Sequence, residues 1–129
     1  MWDQFEDALT YLQDALVICR ETGDRRGEGL ALATMGRAYQ ELHQFEDAVT
    51  YSQDALALFR NTGDRHNEGL ALVTLGFTYA SLRRPDQAAS CVRAAVEAMR
   101  QAGDYELAVE LEQAANMEPR TRRWRWRLG

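Results

Sequence analysis

Apolar residues return every three or four positions along most of the chain. Leu32, Met35 and Tyr39 form one such series, and a second series begins at Phe45 and continues to Phe59. This spacing places the apolar side chains on one face of an α-helix. The strict alternation of apolar and polar residues that a half-buried strand requires is missing, so the pattern predicts a fold made of helices alone.

Gly-Asp pairs at 23–24, 63–64 and 103–104 separate the helical stretches. A glycine is suited to the C-terminal end of one helix, and the aspartate after it is suited to cap the next helix. Pro85 is suited to the first turn of a further helix, because no backbone donor is needed there. We expect helices over residues 3–22, 25–42, 45–62, 65–82, 86–102 and 105–117.

The chain repeats itself at an offset of 40 residues. Residues 5–44 and 45–84 are identical at 24 of 40 positions, and a third, more divergent copy begins at Pro85. A fixed period of this length predicts stacked units, each of which covers the apolar face of its neighbour. We therefore expect a helical array over 1–118 and a basic, disordered tail over 119–129. The array would comprise the second helix of an incomplete repeat (3–22), two full repeats (25–62 and 65–102) and a capping helix (105–117).

The repeated motif L-x-x-[ML]-G-x-x-Y resembles the signature of the tetratricopeptide repeat. It is formed first by Leu32, Met35, Gly36 and Tyr39, and again by Leu72, Leu75, Gly76 and Tyr79. The resemblance implies an all-α fold of antiparallel helical hairpins stacked as a short right-handed solenoid. The period is 40 residues rather than the family's usual 34. This longer variant is similar to the repeats of bacterial regulators, kinesin light chains and spindle-orientation adaptors. HEAT-type arrays have a comparable period but lack the G-x-x-Y pattern.

Small residues in the motif mark the expected contact between the two helices of a repeat. Gly36 and Gly76 have no side chain to hold the helices apart, and this close packing offsets their low helix propensity. Alanines serve the same contact from the second helix, where large residues would overpack it. These alanines are Ala48, Ala55, Ala88 and Ala95.

The two ends of the array are expected to differ. The first helix aligns with the second helix of a repeat, so the face that carries Phe5, Leu9, Leu12 and Leu16 has no partner helix before it. Such a face exposes apolar area. We expect it to be covered by self-association or by further residues of a longer regulator. The helix near 105–117 carries several glutamates and is interpreted as a polar cap.

Composition narrows the range of functions. The chain has 129 residues, a length typical of one small domain. No apolar stretch is long enough to cross a membrane, and the N-terminal residues are acidic where a secretory signal is basic. With only two cysteines, Cys19 and Cys91, the sequence indicates a reduced, cytoplasmic protein. All 15 basic residues are arginine, which is typical of GC-rich bacterial coding sequence.

Candidate chemistry is sparse. His43 and His66 fall at helix junctions without a nucleophile beside them, and only a shared polar pocket around one of them would favour an enzyme. Cysteines and histidines are too scattered for a metal site, and no glycine-rich phosphate motif occurs. We predict a non-enzymatic protein without a metal or a cofactor.

A binding surface is the remaining candidate site. In the family that the chain resembles, the first helix of each repeat lines a concave groove that holds a partner protein or peptide. Carried over by position, that groove has an apolar centre around Val73 and Phe77 with Arg37 beside it, which suits a peptide with an apolar anchor and an acid. Packing of Phe77 on a neighbouring helix is the alternative. The groove residues are Leu30, Ala33, Thr34, Arg37, Gln40 and Glu41, followed by Leu70, Val73, Thr74, Phe77, Ala80 and Ser81.

The C-terminal tail has the opposite charge to the rest of the chain. Residues 1–119 carry 10 arginines against all 20 acids, which disfavours nucleic-acid binding by the body. Arginines interleaved with tryptophans are typical of segments that bind single-stranded nucleic acid or an anionic membrane. Docking on the acidic body and the absence of any role are the alternatives. The tail residues concerned are Arg120, Arg122, Arg123, Trp124, Arg125, Trp126 and Arg127.

Overall fold

A computed structural model describes residues 2–116, with side chains from Gln4 onward. Six α-helices and no strand occur within this range, which confirms the expected all-α class. The helices are α1 (Trp2–Thr22), α2 (Arg25–Glu41), α3 (Phe45–Thr62), α4 (Arg65–Ser81), α5 (Pro85–Ala102) and α6 (Tyr105–Ala115). Their limits differ from the expected ones by at most two residues. The chain divides into two compact units, Met1–Asp64 and Arg65–Gly129.

The helix ends follow the Gly-Asp punctuation in most places. Gly63 and Gly103 close α3 and α5 in the left-handed conformation, where the absence of a Cβ removes the steric penalty. At the start of α2, Asp24 accepts a hydrogen bond from the backbone N–H of Gly27 at 2.9 Å. Asp104 occupies the corresponding position before α6, but its side chain makes no capping hydrogen bond. The aspartate side chain therefore caps α2 at Asp24 but does not cap α6 at Asp104.

In the first unit, α2 packs against both α1 and α3. The α2–α3 contact is close because Gly36 lies directly over α3, where an added Cβ would clash with the Ser52 Oγ. Ala48 and Ala55 are fully buried at the same contact. Phe59 closes the far end of the hairpin, with its ring edge 2.8 Å from the position of a Cβ on Gly29. The predicted role of Gly36 is confirmed.

In the second unit, α5 packs against both α4 and α6. A Cβ on Gly76 would lie 3.3 Å from the Val92 Cγ2, so this glycine also faces the partner helix as predicted. The role that Phe59 has in the first unit falls to Met99, which packs over Gly69. Beyond it, Val96, Met99 and Ala108 form a buried cluster on which α6 docks.

The first helix corrects one expectation. Leu9 and Leu16, expected on an uncovered face, are buried, because α1 packs against α2. Among the described side chains of α1, the large apolar ones that are exposed are instead Tyr11, Val17 and Ile18. Hydrophobic spacing predicted this helix, but it did not indicate which apolar side of the helix α2 covers.

The last helix corrects another. Its glutamates predicted a polar cap, but α6 also exposes the apolar side chains of Tyr105 and Val109 to solvent. Its polar residues are partly engaged at the helix contact, where Arg100 of α5 pairs with Glu112.

Both cysteines are free thiols. Among the described helices, none is long and apolar enough to cross a membrane.

Candidate functional site

The first candidate surface, here called the α2 face, lies on the side of α2 away from its buried residues. Its members are spaced three and four residues apart, which brings them to one side of the helix. Met35 and Leu32, on the opposite side, are almost completely buried. Leu30, Thr34, Arg37 and Glu41 are exposed, and Ala33 and Gln40 are half-buried.

The second candidate surface, the α4 face, occupies the equivalent side of α4. Leu72 and Leu75 are buried on the other side of this helix. Leu70 and Ser81 are exposed, and Val73, Thr74, Phe77 and Ala80 are half-buried. Each face thus lies at the surface of its own unit. That the two faces line one common groove stays a prediction.

Two leucines at the same repeat position are exposed to nearly the same extent. Leu30 is 39% exposed and Leu70 is 41% exposed. A single exposed leucine is ordinary in a soluble protein. Here the same large apolar side chain is exposed at equivalent places on two helices whose other large apolar residues are buried or half-buried.

The threonines beside these leucines direct their hydroxyl groups to the backbone. Thr34 donates to the carbonyl oxygen of Leu30 at 2.8 Å, and Thr74 donates to that of Leu70 at 3.3 Å. These bonds engage the hydroxyl protons within the helix. On the α2 face the exposed Arg37 adds a charged hydrogen-bond donor, its guanidinium.

Charge distinguishes the two faces. On the α2 face, Arg37 lies three turns after the exposed Arg26, and the helical spacing brings both to the same side as Leu30. Sequence reasoning missed Arg26, although its position four residues before Leu30 would have indicated it. On the α4 face these two positions are taken by His66 and Phe77. The α2 face therefore carries two arginines and one acid, Glu41, whereas the α4 face is more apolar.

The histidines do not form a polar pocket. His43 lies in the α2–α3 turn, where its ring stacks on Phe45 with centroids 5.5 Å apart. His66 pairs through Nδ1 with the carboxylate of Asp104, and both side chains are well exposed. Within residues 2–116, no group of three or more histidines, cysteines or acids could hold a metal ion.

The seven tail residues predicted to bind nucleic acid or membrane lie outside the described residues. Outside the predicted groove, the structure adds exposed apolar residues that sequence reasoning missed. Tyr11 and Ile18 lie on α1, and Tyr105 and Val109 border an open hollow on α6 together with Glu106 and Glu110. No signal in the sequence marks Tyr11 as exposed, because its equivalent in the next repeat is also a tyrosine, Tyr51, which is half-buried.

Comparison with protein families gives a match over most of the array. The sequence model of the tetratricopeptide repeat matches residues 3–61 and 30–101. Comparison with curated proteins finds no match.

Proposed function

Because the chain belongs to the tetratricopeptide repeat family, whose repeats mediate protein–protein interaction, we propose that the α2 face and the α4 face bind a partner peptide. The observation that carries the proposal is the exposure of Leu30 and Leu70 at the same repeat position. Apolar side chains held at the surface of a rigid helix provide anchoring contacts without a large ordering cost.

The chemistry of the α2 face specifies the partner further. Arg37 offers a planar set of donors that pairs with a carboxylate through two parallel hydrogen bonds. Leu30 lies two turns before it on the same side of the helix. The proposed ligand is a peptide that places an apolar side chain on Leu30 and an acidic side chain on Arg37. Because acids outnumber arginines in residues 1–119, this part of the chain does not attract anions in general, and a direct contact between the peptide's acid and Arg37 is favoured instead.

The proposal extends to a scaffold or sensor role in bacterial cytoplasmic signalling. Its support is narrower: the arginine-only composition and the similarity of the 40-residue period to the repeats of bacterial regulators. The partner is either a peptide segment or a sister chain.

Selection from a random peptide library displayed on phage tests the proposal. Peptides that bind the full chain are expected to share an apolar residue and an acid at a fixed separation. Arg37→Glu should weaken a selected peptide by about tenfold or more, and exchanging the peptide's acid for lysine should restore binding to this variant. Leu30→Ser should weaken binding without a change of charge.

Two variants provide matched controls. Arg93→Ala removes an exposed arginine on α5, and Val17→Ser removes an exposed apolar side chain on α1. Both should leave peptide binding unchanged. Selected peptides that are insensitive to both Arg37→Glu and Leu30→Ser would contradict the proposed face.

A further inference from the structure

The outer side of α6 is built differently from the same side of α2 and α4. Gly29 of α2 lies under the ring of Phe59, and Gly69 of α4 lies under Met99. The equivalent residue of α6 is Val109, which is 50% exposed. A valine side chain fills the space that the covering side chain takes at the two glycines. The sequence of α6 therefore does not prepare the close helix contact that α2 and α4 make at this position.

The charge on this side of α6 also differs from that of the other two repeats. Glu106 stands where α2 has Arg26 and α4 has His66, and Glu110 stands where both have leucine. Both glutamates are exposed, and neither is paired with another side chain in the described part of the chain. They lie four residues apart on one side of the helix, where like charges repel. A basic ligand that bound both carboxylates would remove this repulsion.

Apolar side chains lie beside the two glutamates. Tyr105 is 66% exposed, and it borders an open hollow together with Val109 and both carboxylates. Tyr105 and Val109 are also four residues apart, so they form an apolar strip next to the acidic one. We call Tyr105, Glu106, Val109 and Glu110 together the α6 face. This combination suits a ligand that carries both arginines and aromatic rings.

A segment of that composition follows α6 in the same chain. Residues 120–127 carry five arginines and two tryptophans, Trp124 and Trp126, and no acid. Trp124 lies nine residues after Ala115, the last residue of α6, and a chain of this length can span up to ~30 Å. Tyr105 lies ten residues before Ala115, which is about 15 Å back along the helix. The segment is therefore long enough to return along α6 as far as the α6 face.

We propose that residues 120–127 dock on the α6 face of their own chain, with the tryptophan rings against its apolar side chains and guanidinium groups on its glutamates. A docked segment takes the place of the disordered tail that the sequence predicts. Because segment and face belong to one chain, the effective concentration of the segment is on the order of millimolar, and weak contacts suffice. Charge favours this occupant over a nucleic acid, because the 20 acids of residues 1–119 outnumber the 10 arginines there and repel phosphate.

Fluorescence of the tail tryptophans in the full chain tests this proposal. The substitution Trp2→Phe leaves emission from Trp124 and Trp126. Acrylamide, a neutral quencher, then measures how accessible these two rings are. At low salt they should be about twofold less accessible than in a synthetic peptide of residues 117–129 in the same buffer, because docking covers the rings. This protection should not depend on protein concentration, and it should weaken as salt is added, because exposed ion pairs are screened.

Two charge-matched double variants locate the docking site. Glu106→Gln combined with Glu110→Gln should raise the accessibility of the tryptophans by about twofold, because two ion pairs are lost. Glu6→Gln combined with Glu21→Gln changes the net charge equally at exposed positions of α1 and should have no effect. Removing a like-charge pair does not destabilise a helix, so release of the tryptophans in the first variant cannot come from unfolding of α6. Circular dichroism of both variants checks that helix content is unchanged.

A further pair of variants tests the apolar contact. Val109→Ser should raise the accessibility of the tail tryptophans without any change of charge. Val17→Ser is the matched control, because Val17 of α1 is 53% exposed and Val109 is 50% exposed. It should leave the quenching by acrylamide unchanged.

Tryptophans that are as accessible in the full chain as in the peptide overturn the proposal. Protection that persists both in the Glu106→Gln, Glu110→Gln chain and in Val109→Ser overturns it as well, as does protection that grows with protein concentration. Rings that become shielded only when an oligothymidylate or phosphatidylserine vesicles are added assign the segment to a nucleic acid or a membrane and likewise overturn it. None of these results bears on peptide binding by the α2 face, which belongs to another helix.

Discussion

The phenol rings of Tyr39 and Tyr51 stack across the α2–α3 hairpin, with centroids 5.1 Å apart and planes 11° from parallel. The pKa of the Tyr39 hydroxyl is raised above its ordinary value of 10.0, chiefly by burial. The nearby Tyr51 adds to the shift through its charge and a side-chain hydrogen bond, and the charge of Asp47 adds further. Ionisation of this tyrosine is therefore costlier in the folded chain than in the unfolded chain.

Unfolding at alkaline pH is expected to depend on this hydroxyl. A group whose pKa is raised by folding stabilises the fold fully below its unfolded pKa, and the contribution is lost as pH rises through the folded value. Stability should fall above pH 10.0, the ordinary tyrosine value, and Tyr39→Phe should reduce that fall. Midpoints of urea unfolding, measured for the parent and the variant from neutral to alkaline pH, test both expectations. Tyr11→Phe, on an exposed ring, should retain the parental profile, and equal profiles for both variants would contradict this explanation.

The two motif glycines are expected to tolerate alanine differently. A Cβ on Gly36 meets the Ser52 Oγ and also the Ser52 backbone nitrogen at 3.2 Å, which a side-chain rotation cannot relieve. On Gly76 the nearest atom is a methyl group at 3.3 Å and the nearest backbone atom is 3.5 Å away. Gly36→Ala should destabilise by about 1–3 kcal/mol. Gly76→Ala should stay within about 1 kcal/mol of the parent, because alanine's helix propensity offsets the crowding.

Ser52 itself provides the control for this comparison. Its hydroxyl is buried and has no hydrogen-bond partner, so Ser52→Ala should be neutral or stabilising. In combination with Gly36→Ala it should recover part of the lost stability, which a double-mutant cycle from urea unfolding measures. Additive effects of the two changes would show that the hydroxyl is not what crowds position 36.

Much of this fold is predictable from the sequence because the determinants are local. Helical spacing, the Gly-Asp steps and Pro85 fix where helices begin and end, and the repeat fixes which glycines lie at contacts. What the sequence does not give is which apolar side of a helix is covered. Leu9 and Leu16 share a pattern with Tyr11 and Ile18, and only the position of α2 separates buried from exposed. The positions of the candidate faces were predictable, and helical spacing could also have indicated Arg26, but the exposure of Leu30 required the packed helices.

Two aspartates at the same repeat position are expected to act differently. Asp24 accepts the Gly27 N–H, so Asp24→Ala should cost about 1 kcal/mol as a lost N-cap. Asp104 instead pairs with His66. Asp104→Ala should therefore cost no more than His66→Ala, and the double variant should cost no more than either single one. Urea unfolding of the four variants decides this, and a clearly larger loss for Asp104→Ala alone would assign it a capping role.

Stability and binding should separate along α2. Arg37 is exposed and Met35, two residues before it, is buried. Arg37→Ala should leave the melting temperature nearly unchanged, whereas Met35→Ala should cost about 2–5 kcal/mol as a core truncation. Tyr39→Ala should cost less than Phe59→Ala, because Tyr39 is only half-buried. Thermal unfolding measures all four. Equal losses for Arg37→Ala and Met35→Ala would show that the α2 face is part of the core.

The turns inside both hairpins offer a route to higher stability. His43 and Arg83 occupy the same repeat position, and both adopt positive φ, at 58° and 59°. Residues with a Cβ pay a steric cost in this region that glycine avoids. Arg83→Gly should therefore raise stability by up to about 1 kcal/mol. His43→Gly should gain less, because it also removes the stacking of His43 on Phe45. Urea unfolding of both variants checks the order of the gains, and a loss of stability in Arg83→Gly would show that the arginine side chain contributes more than its backbone conformation costs.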